Sequence, residues 1–290
     1  MNIYKEQCTV PFASVDQSDR LTIASTFDLF QEAAINHAEL LDVGREAMKQ
    51  SGQVWILSRL SVFMKSRPKY RDKILIRSWP RGTNKLFAVR DYDIHLADHI
   101  EGHEDLPSRD EVLVKGRSSW LIVDIEKRRP MRPQSVAETL PPNEGINALP
   151  GINMEGNDPN SSIKESKKES KKENEFIPEQ AVLRKACYSD IDYNGHVNNT
   201  RYIQWIQDLL DPNILETADQ LRLDINYLSE VRYGEIIQLF CSPIALAGQP
   251  DQIQTELQQS GQFPLPCSAA FAIEGRRDDV PVFRAELYTG

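Results

Sequence analysis

The sequence predicts an α+β fold built twice in one chain, each half a long helix wrapped by an antiparallel β-sheet. Three observations lead there. An amphipathic helical stretch is followed by a run of short segments rich in β-branched and aromatic residues, and the same order recurs in the second half. Laying Val15-Asp16-Gln17 over Ile191-Asp192-Tyr193 carries the two segments together without a gap to Ala34 over Leu210, which is an internal repeat. Between the repeats lies a polar stretch with almost no apolar content. The expected division is an N-terminal half at 1–142, a flexible charged linker at 143–178 and a C-terminal half at 179–290.

Taken in order, residues 6–14 read as a strand. From 22 to 41 the positions Ile23, Phe27, Phe30, Ala34, His37 and Leu41 form a helical stripe. Strands are expected at 54–64, 73–79, 87–96 and 111–125, separated by Pro, Gly, Asn and Asp. Lys65, Arg67, Lys69, Arg71 and Lys73 alternate, so in an extended strand all five would project to one side. The insert around 99–110 holds His99, His103 and Glu104. No further ligand cluster completes a coordination shell there, so a surface hairpin is expected and no metal. The segment S-S-I-K-E-S-K-K-E-S-K-K-E-N-E cannot bury enough surface to offset its ordering entropy. In the second half Tyr202, Ile203, Ile206, Leu209 and Leu210 give one helical face, followed by expected strands at 221–227, 235–243, 252–258, 268–274 and 282–288.

A composition of 40% hydrophobic and 27% charged residues is that of a water-soluble globular chain, and no apolar run approaches a membrane span. The start, M-N-I-Y-K-E-Q-C-T-V-P-F, has neither a signal peptide's apolar centre nor a transit peptide's composition, so a cytoplasmic location is expected. The four cysteines lie far apart and read as free thiols. A net charge of −9 argues against nucleic-acid binding.

The most informative stretch is S-D-I-D-Y-N-G-H-V-N-N-T-R-Y-I-Q-W-I-Q-D-L-L, Ser189 to Leu210. It packs a carboxylate, an amide and an imidazole into five residues before a helix. Asp192, Asn194 and His196 alternate with Tyr193 and Gly195, so an extended backbone would point all three the same way. The bland alternative is a turn and a helix cap, because Asp and Asn favour those backbone states, and Asn198 and Asn199 suit capping. The string D-x-D-x-N-x-H-V-N-N-x-x-Y-I-x-W resembles the signature of the acyl-ACP thioesterases, bacterial relatives of the plant enzymes included. Val54 to Arg81, Arg90-Asp91-Tyr92 and Ser118-Ser119-Trp120 follow in that family's order.

The resemblance implies two tandem hotdog domains, hydrolysis of the thioester of fatty acyl-acyl carrier protein, acyl carrier protein as partner, and no cofactor. It also implies an acyl-chain tunnel lined mostly by the first half. Under the overlay Asp16 keeps the carboxylate of Asp192, but Ser18 stands for Asn194 and Arg20 for His196, so the first half carries the frame without the chemistry. The implied catalytic set is Asp192, Asn194, His196 and Glu230. In N-Y-L-S-E-V-R-Y-G-E the family pattern offers a Glu followed in many members by Cys, whereas Val231 follows Glu230 here, which favours a carboxylate acting on water over a thiol nucleophile. Asn194 and a backbone N–H at the start of the 197–210 helix would stabilise the oxyanion. Which of Glu230 and His196 takes the proton stays open. So do an acyl-CoA thioesterase, a non-catalytic acyl-binding protein and a homodimer. An acidic carrier would need a local basic patch, either the run from Lys65 to Lys73 or another, with Arg201 or Arg232 nearer the site.

Overall fold

A computed structural model describes residues 2–97, 112–133, 136, 139–141, 143, 148–149, 181–244 and 267–290. The expected hairpin at 99–105, nearly all of the expected linker and the strand at 252–258 lie outside these residues. Strand β1 (Tyr4–Thr9) is shorter than the sequence suggests, because Pro11 ends it and a 3-10 turn at Phe12–Ser14 follows. Helix α1 (Ile23–Leu40) starts at Thr22, whose hydroxyl accepts the N–H of Ser25 at 3.0 Å. It buries Ile23, Phe27, Phe30 and Ala34 as the stripe predicts. His37 is buried too, but as a polar partner: its Nδ1 lies 3.0 Å from the Arg90 guanidinium, which also donates to Ser78 Oγ at 2.9 Å. A short helix α2 (Arg45–Gln50), not foreseen, precedes the strands β2 (Gln53–Met64), β3 (Lys73–Asn84), β4 (Phe87–Leu96), β5 (Val114–Asp124) and β6 (Arg129–Met131).

The second half repeats this order. Strand β7 (Val182–Lys185) and a 3-10 turn at Tyr188–Asp190 lead to helix α3 (Asn199–Asp208), a second unforeseen short helix α4 (Pro212–Thr217), and strands β8 (Leu221–Tyr227), β9 (Ile236–Pro243), β10 (Ala269–Arg277) and β11 (Val280–Thr289). The strands form one antiparallel sheet in the order β1-β3-β4-β5-β2-β8-β11-β10-β9-β7, with β6 on β5. The second half therefore reads as the first in reverse. The seam is β2 against β8, registered from Arg59 opposite Asn226 to Met64 opposite Leu221. Both helices lie over the apolar face of this sheet, and residues of α1 and α3 share one continuous core. Gly116 on β5 is part of that fit, since a Cβ there would collide with the Phe30 ring, which stacks on Tyr92 at 4.6 Å.

The alternating basic run corrects one expectation. Strand β2 stops at Met64 and β3 starts at Lys73, so residues 65–72 form a connection and not a strand face. Pro68 lacks a ladder N–H and Arg71 adopts a positive φ of 71°. Arg67 turns inward and is buried, while Lys65 and Lys69 face solvent.

Candidate active site

The stretch from Ile191 to Val197 is a tight loop, not the extended segment that would align its three polar side chains. The Asp192 N–H donates to the His196 carbonyl at 2.8 Å, and the Gly195 N–H donates to the Asp192 carbonyl at 3.0 Å. The Asp192 carboxylate then accepts the N–H of Asn194 at 2.8 Å and that of His196 at 3.3 Å. A short carboxylate competing for nearby N–H groups is what favours a turn over a strand here. Gly195 supplies the positive φ, 81°, that closes it. Asp192 thus orients the loop through backbone and reaches Asn194 Nδ2 at 3.3 Å, rather than the imidazole.

Two further contacts set the loop against the segment at 231–232. The Val197 N–H donates to the Val231 carbonyl at 2.7 Å, and His196 bridges to Arg232 through backbone. These bonds place the two side chains together: His196 Nε2 lies 3.0 Å from Glu230 Oε2. The imidazole is 26% exposed and the carboxylate 51% exposed, so the pair opens to solvent on one side. Val231 is fully buried, because its side chain alternates away from Glu230 into the core. The backbone at 230–231 is held from two directions. Arg277 Nη1 donates to the Glu230 carbonyl at 3.0 Å and to Glu235 Oε2 at 2.7 Å, and the Tyr202 hydroxyl is hydrogen-bonded to the Val231 backbone. Burial, the largest influence, pushes the Tyr202 hydroxyl well above its usual pKa, so it stays protonated.

Asn198 caps α3, its side chain accepting the Thr200 N–H at 3.0 Å. The N–H groups of 197, 198, 200 and 201 are all bonded, which leaves that of Asn199 without a partner among the described residues. Tyr227 steadies this turn by donating to the Asn199 carbonyl at 3.0 Å. Across the halves, the Thr200 hydroxyl donates to Asp28 Oδ1 at 2.7 Å.

All four residues anticipated from sequence lie on this loop and the segment facing it. From sequence Tyr202 reads only as part of the helical face, and nothing there singles out the supporting roles of Arg277, Tyr227 and Glu235. Arg277 lies far along the chain from Glu230 and follows no motif, whereas Tyr202 and Tyr227 read simply as apolar positions. Among the described residues no group of three or more His, Cys, Asp or Glu side chains is arranged to hold a metal ion.

The first half reproduces the same backbone. The Asp16 N–H donates to the Arg20 carbonyl at 2.9 Å, the Leu21 N–H to the Pro68 carbonyl at 2.7 Å, and Asp19 takes the positive φ of Gly195. Under this correspondence Arg67 occupies the place of Glu230. It pairs with Asp16 at 2.6 Å instead of with residue 20. Burial alone would raise the Asp16 carboxyl, but the Ser18 hydroxyl and the Arg67 guanidinium outweigh it and hold the carboxyl below its ordinary value.

Two reversed copies of one helix-on-sheet unit define a double-hotdog protein, and among the described residues the His–Glu contact on the polar loop is found in the second copy and not at the matching place in the first. The chain belongs to the acyl-ACP thioesterase family: residues 1–139 match the acyl-ACP thioesterase N-terminal domain and residues 170–265 the C-terminal domain. Among curated relatives it is 25% identical to oleoyl-acyl carrier protein thioesterase 2 of Arabidopsis thaliana, over 81% of this chain and 61% of that protein. It is 22% identical to palmitoyl-acyl carrier protein thioesterase of Cuphea hookeriana, over 81% and 54%. The chain thus spans only about half to three-fifths of the length of these relatives. An acyl-ACP thioesterase from Bacteroides thetaiotaomicron superposes with a TM-score of 0.72 at 21% identity, covering 99% of this chain and 98% of that one. The 12:0-ACP thioesterase of Umbellularia californica gives 0.69 at 16% identity, covering 99% and 93%. These superpositions establish the hotdog fold.

Proposed function

We propose that this protein hydrolyses the thioester of fatty acyl-acyl carrier protein, releasing a free fatty acid. The observation that carries the reading is the 3.0 Å contact between His196 Nε2 and Glu230 Oε2 at an open edge of the second half, with Asn194 on the same loop. A carboxylate and an imidazole in contact, one flank in solvent, form a set that activates water. Family membership supplies the substrate class: the curated relatives are named as thioesterases of acyl carrier protein.

In this reading Glu230 takes a proton from water as the water oxygen attacks the carbonyl carbon. Glu230 hands that proton to His196 Nε2, with which it is in contact, and the imidazole delivers a proton to the sulfur as the carbon–sulfur bond breaks, so both groups return to their starting state. The products are a fatty acid and a thiol. The negative charge on the carbonyl oxygen is met by the Asn194 side-chain amide and the Asn199 N–H, the donor that capping leaves over. Asp192 acts on the loop, keeping Asn194 and His196 in place. No thiol takes part. Cys187 is exposed, its Sγ 3.3 Å from the Lys185 carbonyl, and burial pushes the thiols of Cys8, Cys241 and Cys267 up, away from the thiolate form. The test is a hydrolysis assay on acyl carrier protein charged with one acyl chain at a time. Release of fatty acid by the wild type and its loss in Glu230→Gln is the expected result.

A further inference from the structure

The two halves exchange short helices, and the exchange is unequal. On the first-half loop, α4 sits down firmly. Arg67 donates to the Leu215 carbonyl at 2.9 Å, Arg20 donates to the Ala218 carbonyl at 3.3 Å, and the Gln17 amide bonds to Glu216. The place corresponding to the catalytic pair is thereby filled. On the second-half loop the corresponding visitor is α2. Tyr193 stands where Gln17 stands in the first half, and the Arg45 guanidinium lies 3.9 Å from the centre of its ring. Glu230, the counterpart of Arg67, reaches no part of α2; it bonds His196 and remains half exposed.

Arg45 is therefore a first-half cation set on the second-half loop, resting on the residue between Asp192 and Asn194. Its side chain and the Tyr193 ring are both exposed. Among the described residues no carboxylate pairs with its guanidinium; the nearby Glu39 carboxylate accepts the Arg45 backbone N–H at 2.9 Å. A cation–π contact at an exposed site is weak, so it positions the guanidinium without saturating it. The planar fork can stack on the ring and still offer N–H groups at its edge to an anion. With a net charge of −9, the protein as a whole repels anions, and recognition of one requires a local cation of this kind.

We infer that Arg45, stacked on Tyr193, binds the phosphodiester of the phosphopantetheine arm that carries the acyl thioester into the site. This rests on the function proposed above, and it makes Arg45 a specificity-determining residue for substrates on a phosphorylated arm. The test compares one acyl chain on 4′-phosphopantetheine and on unphosphorylated pantetheine. The wild type is expected to show a lower KM for the phosphorylated form, and Arg45→Gln to erase that preference by raising the KM for the phosphorylated form about five- to tenfold. Arg45→Lys, which keeps the charge, is expected to recover part of it. Equal KM values for the two forms in the wild type, or an equal rise for both in Arg45→Gln, would overturn the assignment. If neither thioester is hydrolysed, acyl-ACP with the same acyl chain is assayed alongside, and only absence of release there fails the proposed function. Calorimetric titration with 4′-phosphopantetheine and pantetheine then decides the binding question. Tighter binding of the phosphorylated arm, lost in Arg45→Gln, supports the assignment, and no difference between the two arms rejects it.

Discussion

Glu230 and His196 are brought together by the backbone bond from Val197 to Val231 and by a loop that Asp192 keeps closed, and the proposed reaction depends on both. Removing the charge, the imidazole or the amide should therefore act on turnover. Glu230→Gln, His196→Ala and Asn194→Ala are each expected to lower kcat by about two to three orders of magnitude. Ser18→Ala, on the matching first-half loop, should leave kcat within about twofold; steady-state rates on one acyl-ACP separate the two groups. A variant with Cys8, Cys187, Cys241 and Cys267 changed to Ser or Ala should retain most of its activity, whereas a dead but folded variant would restore a thiol nucleophile. At this scale much was legible. Asp192, Asn194 and His196 are clustered in sequence because one loop holds them, and the turn that the composition offers as the plain reading is the turn that forms. Arg277 was not legible, since its contact with the Glu230 carbonyl joins distant segments through sheet register.

Helices α1 and α3 announce themselves by periodicity and caps, but α2 and α4 span six residues each and bury too little of a face to show a period. The basic run from Lys65 to Lys73 reads as a strand because alternation says nothing of where the ladder stops. The buried Arg67 in it pairs with Asp16 and holds α4. Removing one member of a buried pair costs about 3–5 kcal/mol. Arg67→Met should accordingly lower the melting temperature by roughly 5–10 °C, with kcat of the folded fraction within about threefold. The contact between α1 and α3 makes a different prediction. Asp28 is exposed as a residue, but packing of its carboxylate against α3 strips enough water from it to raise the carboxyl above its ordinary pKa, only partly offset by the Thr200 hydroxyl and Arg201. A raised carboxyl makes the folded state bind its proton more tightly, so stability falls as pH rises from the unfolded pKa through the folded one. Asp28→Asn, which keeps the acceptor for Thr200, should raise the melting temperature more at pH 7 than at pH 4. An equal shift at both pH values would show that the charge is not responsible.

The seam of β2 and β8 makes the halves one sheet over one core, with Leu60, Val62 and Met64 buried beside Leu221, Leu223 and Ile225. Separating them would bare an apolar strand edge. Calorimetry should therefore show one cooperative transition, and 179–290 expressed alone should not fold; two resolved transitions would contradict this. The repeat in the sequence anticipated the two matching units, but not that they meet edge to edge in reversed order, because strand partners far apart leave no local pattern. Acid should weaken the whole. For Asp93 burial pushes upward, but Arg77 and His95 outweigh it, and the carboxyls of Asp16 and Asp93 both lie below their ordinary values. Their contribution is present above the unfolded pKa, about 4, and is lost as pH falls through the lower folded values. In the proposed function a single second-half site hydrolyses acyl-ACP by water activation. That proposal is met most directly by measuring fatty-acid release from one long-chain acyl-ACP by the wild type and by Glu230→Gln, with binding of the same acyl-ACP followed in parallel. The account predicts release by the wild type, and retained binding with release reduced at least about a hundredfold in Glu230→Gln. Full activity in Glu230→Gln, or no release by a folded wild type, would contradict it.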